Sequence, residues 1–148
     1  MYGNMNKLKI KIKKLHQHAM IPEYATKGSA GFDLACVENF KIETGETIIV
    51  NTGLAFEIPE GYELQIRPRS GLSAKTGLRV ANSPGTIDSD FRGEVGIILY
   101  NTGIPYVVGP GQKIAQGVIC PIVQAEFEVV EELSDTERGE GGWGSTGV

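Results

Sequence analysis

Apolar and polar residues alternate near the start of the chain. Lys7 to Lys13 reads KLKIKIK, with Leu8, Ile10 and Ile12 separated by lysines. This period of two predicts a half-buried strand whose lysines face water. A basic patch for nucleic acid is the sharper reading of those lysines, and a solvated strand face is the plainer one. Further β-rich runs lie at 46–50 (ETIIV), 54–58 (LAFEI), 62–67 (YELQIR), 94–100 (EVGIILY), 113–123 (KIAQGVICPIV) and 126–133 (EFEVVEEL). Between them ETGE, IPEGY, NSPG, NTGIP and GPGQ predict turns. No segment sustains a helical period, and LSAKT (72–76) has room for one helical turn at most. The pattern predicts an all-β sandwich or barrel-like fold without internal repeats.

The pattern changes after Leu133. The stretch SDTERGEGGWGSTGV has almost no apolar residues apart from Trp143 and Val148. Ordering a backbone costs about 1–2 kcal/mol per residue, more than so little apolar surface offsets. Residues 1–133 are therefore expected to form the folded domain. Residues 134–148 are expected to form a mobile arm that orders only against something else.

A chain of 148 residues fits one domain with a single core. Its net charge of −4 argues against a general nucleic-acid binder, though not against a small anionic ligand. Cys36 and Cys120 are far apart, form no C-x-x-C pair and are expected to be buried and reduced. No stretch approaches the ~20 apolar residues of a membrane span, and the basic start lacks the apolar core of a secretory signal. A cytoplasmic protein with no membrane partner is expected.

Several short stretches carry possible chemistry. In the tail, Gly139, Gly141 and Gly144 satisfy G-x-G-x-x-G, but no helix can follow in the few residues left. Ser145 stands where a Walker loop needs lysine. Successive glycines still let backbone N–H groups converge on phosphate, with Arg138, Ser145 and Thr146 adding a charge and two hydroxyls. Trp143 could stack on a base, worth roughly 1–3 kcal/mol; the plainer reading is a disordered terminus.

In RPRSGL (67–72), Arg69 and Ser70 project from a bend made by Pro68 and Gly71, a setting that suits phosphate. In NSPGTIDSDFRGEV (82–95), Asp88 and Asp90 share a face if a strand continues between them, and could bind metal or transfer protons. A turn aspartate and a solvent-facing one are the alternative. In AGFDL (30–34), Asp33 sits between apolar neighbours and needs a partner, either a backbone amide or a metal-bound water. His16 and His18 form H-x-H without a nearby third ligand.

The order of AGFDL, RPRSGL, NSPGTIDSDFRGEV, GQKIAQGVI and RGEGGWGSTG closely resembles the five motifs of the trimeric all-β dUTPase family. The resemblance runs from about Leu8 to the terminus. It implies a jelly-roll-like β barrel with a glycine-rich C-terminal arm. It also implies a homotrimer with active sites at subunit boundaries, and hydrolysis of dUTP to dUMP and pyrophosphate. That reaction limits uracil incorporation into DNA and supplies dUMP for dTMP synthesis.

By the same resemblance, Asp88 deprotonates the water that attacks the α-phosphate. Mg2+ chelated by the phosphates is contacted by Asp33 through water, in keeping with the ion's reluctance to dehydrate. Arg69, Ser70, Gly71 and Gln116 serve the phosphates or the attacking water. The hairpin from Asn82 to Gly96, through Asn82, Thr86, Ile87 and Gly96, reads uracil with fixed backbone groups. Phe91 stands where the family usually has tyrosine and presses on the deoxyribose. Trp143 stands where phenylalanine is common and caps the base. Arg138 reaches the terminal phosphates, and Gly144 and Ser145 complete the arm's contacts.

Two other readings compete. The dCTP deaminases share this fold, but they need a glutamate base and TIDSDF does not match. A nucleotide sensor that binds dUTP without turnover needs no base, whereas Asp33, Asp88 and Arg138 are all present.

Overall fold

The computed structural model describes residues 7–147. Met1–Asn6, at the head of the expected domain, and Val148, at the end of the expected arm, lie outside the described residues. In chain order the strands are β1 (Lys11–Lys14), β2 (Phe32–Ala35), β3 (Phe40–Ile42), β4 (Thr47–Asn51), β5 (Leu54–Glu57) and β6 (Tyr62–Arg67). A short helix α1 (Ser70–Lys75) follows, then β7 (Leu78–Val80), β8 (Gly85–Ile87), β9 (Gly96–Asn101), β10 (Tyr106–Val108) and β11 (Lys113–Pro121).

One antiparallel sheet has the order β2-β11-β6-β8, and a second has the order β4-β9-β7. Two-stranded pairs β1-β5 and β3-β10 complete the jelly-roll-like β fold. Strand β8 pairs with β6, whereas β7 and β9 pair with each other. The chain thus leaves the second sheet after β7, visits the first, and returns.

Alternation explains the strands. In β9, Ile97 and Leu99 are buried while Tyr100 is exposed; in β6, Leu64 and Ile66 are buried. The inner faces of both sheets share one cluster that includes Leu34, Val50, Phe56, Leu64, Leu78 and Leu99. Phe32 stacks on Phe56 with centroids 6.3 Å apart. The Phe32 ring lies over Gly117 of β11, where a Cβ would come within 2.5 Å of Phe32 and 2.9 Å of Leu64. Asn101 is fully buried and fully used. Its amide donates to the carbonyls of Ile42 (3.1 Å) and Ile104 (2.8 Å), and its oxygen accepts from Gly103 N–H at 3.0 Å.

Three expectations change. The strand expected over Lys7–Lys13 begins only at Lys11, where pairing with Glu57 starts. Its Lys11 forms a solvated ion pair with Glu57 at 3.2 Å. Of the run 72–76, residues 72–75 belong to a six-residue helix that starts at Ser70, and Thr76 is its extended C-cap. The strand expected over 126–133 is absent, and Phe127 and Val129 are 91% and 98% exposed. A strand needs an edge to pair with, and the chain quits the barrel after Ile122 donates its N–H to Gly61 (2.9 Å).

Cys36 is buried, Cys120 is half-buried, and both are free thiols. Cys36 Sγ–H donates to the Gly109 carbonyl at 2.7 Å, and burial pushes the thiol pKa up. No helix among the described residues is long and apolar enough to cross a membrane.

Candidate active site

Four of the five motifs fall on the sheet β2-β11-β6-β8. Asp33 of β2 faces Gln116 of β11, and Gln116 in turn faces Arg67 at the end of β6. Directly opposed residues on neighbouring strands share a face. Asp33, Gln116 and the RPRSGL bend therefore meet in one row.

The row is held by side chains. Arg69 Nε donates to Asp33 Oδ1 at 2.9 Å, and Arg69 Nη1 donates to the Lys113 carbonyl at 3.4 Å. Lys113 Nζ lies 3.2 Å from Asp33 Oδ2. Asp33 thus finds its partners in two cations, where the sequence suggested an amide or a metal-bound water. Gln116 Nε2 donates to the Pro68 carbonyl at 2.9 Å, pinning the bend from behind. Ser70 and Gly71 open α1, so their N–H groups have no carbonyl inside the helix to bond. Two cations beside free N–H donors form a local positive site in a chain of net negative charge. Lys113 was not singled out from the sequence; the only available signal was a basic residue within GQKIAQ.

Asp88 lies elsewhere. Ile87 of β8 pairs with Leu64, so the next residue, Asp88, falls level with Glu63. Gln116 is level with Arg67, four residues along β6. At ~3.3 Å per residue and ~4.8 Å per strand, the two positions are roughly 16 Å apart in the sheet. Asp88 and Asp90 do not share a strand face, because β8 stops at Ile87 and residues 89–90 turn. The Asp88 carbonyl accepts the Phe91 N–H at 3.2 Å. Arg92 Nη1 donates to the carbonyls of Ser89 (2.6 Å) and Phe91 (3.2 Å). The turn is thereby fixed and the Asp88 side chain stays exposed.

The segment Asn82–Gly96 is not a two-stranded hairpin, since β8 and β9 belong to different sheets. Asn82 packs its amide beside Gly85, and Thr86 is exposed. Ile87 is half-buried and packs against the core. Phe91 lies against Gly93, where a Cβ would sit 2.6 Å from the ring's Cζ. Gly96 lies beneath Ile49 of β4.

The arm stands clear of both clusters. Arg138 Nε donates to the Gly141 carbonyl at 2.8 Å, and Ser145 N–H donates to the Gly142 carbonyl at 2.7 Å. Gly139 and Gly144 take φ of 54° and 81°, values that favour glycine. Trp143 is fully exposed. A cleft of about 520 Å3 opens where the chain leaves β11, between Ile122, Gln124 and the turn carrying Ser89, Asp90 and Arg92. None of the residues expected to bind phosphate lines it. Within one chain, then, the Asp33–Arg69–Lys113 cluster, the Asp88 turn and the arm are three separate parts. His16 and His18 pack against each other, with His18 N–H donating to His16 Nδ1 at 3.1 Å and Ala19 N–H donating to the His16 carbonyl at 3.0 Å. The described residues contain no group of three or more His, Cys, Asp or Glu placed to hold a metal.

The dUTPase family profile matches residues 17–147. The chain is 58% identical over 141 residues to the deoxyuridine 5'-triphosphate nucleotidohydrolase of Nautilia profundicola, covering 95% of this chain and 99% of that protein. It is 52% identical to the protein of the same name from Wolinella succinogenes, covering 98% of each. Among solved structures, the Staphylococcus bacteriophage 80alpha dUTPase with dUPNHPP superimposes with a TM-score of 0.87 at 34% identity, over 96% of this chain and all of that one. A mutant dUTPase from phage phi11 of S. aureus matches with a TM-score of 0.80 at 30% identity, over 84% of this chain and 98% of that one. It is described as revealing the coordination of a structural Mg(II) ion. The chain belongs to the dUTPase family.

Proposed function

We infer that this chain hydrolyses dUTP to dUMP and pyrophosphate by directing water onto the α-phosphate. The reaction keeps uracil out of DNA and supplies dUMP for dTMP synthesis. The observation that carries the reading is the pairing of Arg69 and Lys113 around Asp33, beside Gln116, with Asp88 free on a fixed turn of the same sheet. The first group suits a triphosphate and the second suits a general base.

In this reading Asp88 accepts the proton of the attacking water, a role worth ~10²–10⁴-fold. Arg69, Ser70, Gly71 and Gln116 orient the phosphate chain. Asn82, Thr86, Ile87 and Gly96 read uracil through backbone groups, so cytosine leaves buried donors and acceptors unpaired. Phe91 excludes a ribose 2′-hydroxyl.

The donor set fits Mg2+. Each Asp33 oxygen already has a cationic partner but keeps lone pairs for a metal-bound water. An ion bound chiefly by the substrate's phosphates needs no all-protein cage. When bound, Mg2+ offsets phosphate charge and helps orient the α-phosphorus.

The ~16 Å between Asp88 and Gln116 is too long for one chain to complete the reaction centre. A homotrimer that borrows Asp88 from one chain and the phosphate cluster from another closes that gap. The exposed stem 123–133, with Phe127 and Val129, then finds the edge it lacks in its own chain. It carries the arm 134–148 to a neighbour's site, where Trp143 caps the base and Arg138, Gly144 and Ser145 meet the phosphates. We place the enzyme in the cytoplasm, with neither nucleic acid nor membrane as a partner.

A panel of dUTP, dCTP, dTTP and UTP with Mg2+, assayed for pyrophosphate and ammonia, tests the reading alongside a mass measurement in solution. Pyrophosphate from dUTP and the mass of three chains are expected. Ammonia from dCTP, or dUTP binding without turnover, contradicts it.

A further inference from the structure

Strand β11 does not run evenly past β2. Gln116 faces Asp33 and Ala115 faces Leu34, but Ala35 faces Lys113 rather than Ile114. The extra residue is a β-bulge. In an even strand, Lys113 lies three residues from Gln116 and points to the opposite, core-side face. The bulge lets Ile114 and Ala115 both sink into the core, where each is 0% exposed. It also returns Lys113 to the face of Asp33 and Gln116. Re-aiming a side chain beside a working site is what such bulges do.

We propose that Lys113 is a positioning residue for the phosphate end of the dUTP site, fixing Asp33 and through it the Arg69 guanidinium. The proposal rests on the dUTPase reading given above. A carboxylate held by one cation can still turn. With Arg69 Nε on one oxygen (2.9 Å) and Lys113 Nζ on the other (3.2 Å), the plane of the Asp33 carboxylate is set. The Lys113 carbonyl takes Arg69 Nη1 as well, so side chain and backbone of one residue aim the same guanidinium.

Arg69 uses two of its five N–H donors on these contacts, leaving the others for an anion. Fixing a long side chain before the ligand arrives removes an ordering cost from binding. One carboxylate between two cations also leaves the cluster at a net +1, the sign a triphosphate requires. The Lys113 side chain is 48% exposed, so removing its charge opens no cavity and disturbs folding little.

Calorimetric titration of wild type, Lys113→Met and Lys113→Arg with the imido analogue of dUTP and with dUMP tests the proposal. Lys113→Met weakens the triphosphate analogue about tenfold while dUMP affinity stays within about twofold, because only the phosphate chain reaches Arg69. Lys113→Arg returns triphosphate affinity to within about threefold of wild type, since this contact needs a positive charge beside Asp33 and no particular fork geometry. Equal weakening of both ligands marks a merely structural role and overturns the proposal. So does unchanged triphosphate affinity in Lys113→Met, or a Lys113→Arg as weak as Lys113→Met. Wild-type turnover of dUTP, measured in parallel, separates these failures from failure of the dUTPase reading, which removes the proposal with it.

Discussion

Asp33 on β2 and Arg69, in the bend that follows β6, are joined by a 2.9 Å ion pair, with β11 lying between β2 and β6. The pair is partly solvated and its worth to folding is small, about 1 kcal/mol or less. Its consequence is geometric, since it sets where the guanidinium points. Asp33→Asn should therefore leave the thermal midpoint within a few degrees of wild type. It should lower kcat/KM for dUTP by about 10- to 100-fold. Steady-state kinetics beside a thermal melt check this, and a large loss of stability with normal kinetics would reverse the assignment.

The separation of Asp88 from the phosphate cluster gives a second prediction. Asp88→Asn and Arg69→Gln should each be nearly inactive alone. Unfolded together and refolded as a mixture, they should recover roughly a quarter of wild-type activity, the share of randomly assembled sites that draw one intact residue from each of two chains. No recovery would mean that each chain builds its own site.

Gly93 supports the Phe91 ring. A methyl group there would approach the ring to 2.6 Å at Cζ and 3.1 Å at Cε2, so Gly93→Ala displaces the ring and not the fold. Discrimination of dUTP over UTP, taken as the ratio of kcat/KM values, should fall about tenfold. An unchanged ratio would show that Phe91 does not police the sugar.

Asn101 ties β9 to the chain on both sides through three hydrogen bonds, one buried and two part-buried. Asn101→Leu strands two carbonyls and one N–H, and should destabilise the protein by about 3 kcal/mol or more. Chemical denaturation measures this directly, and a change below about 1 kcal/mol would imply that water replaces the lost bonds.

Much of the architecture was legible in the sequence where alternation is uninterrupted. Strand β6 matches its expected span 62–67 because Leu64 and Ile66 alternate with polar neighbours. Strands β2, β3, β7, β8 and β10 have only three or four residues each, too few to display a period. The run 126–133 has strand-like composition but no partner edge in its own chain, and pairing is what the pattern cannot reveal. At the site, motif order along the chain was enough to suggest the family. The Lys113–Asp33 contact was not, because a bulge hidden among consecutive apolar residues decides which face Lys113 takes. The exposed state of Trp143 follows from composition.

The most direct measurement compares Asp88→Asn with wild type in pyrophosphate release from dUTP at saturating Mg2+, with the affinity for the imido analogue measured in parallel. Turnover should fall by at least ~100-fold while affinity stays within about tenfold, since a general base acts on the transition state and not on binding. Near-normal turnover in the variant would contradict the assignment of Asp88 as the group that activates water.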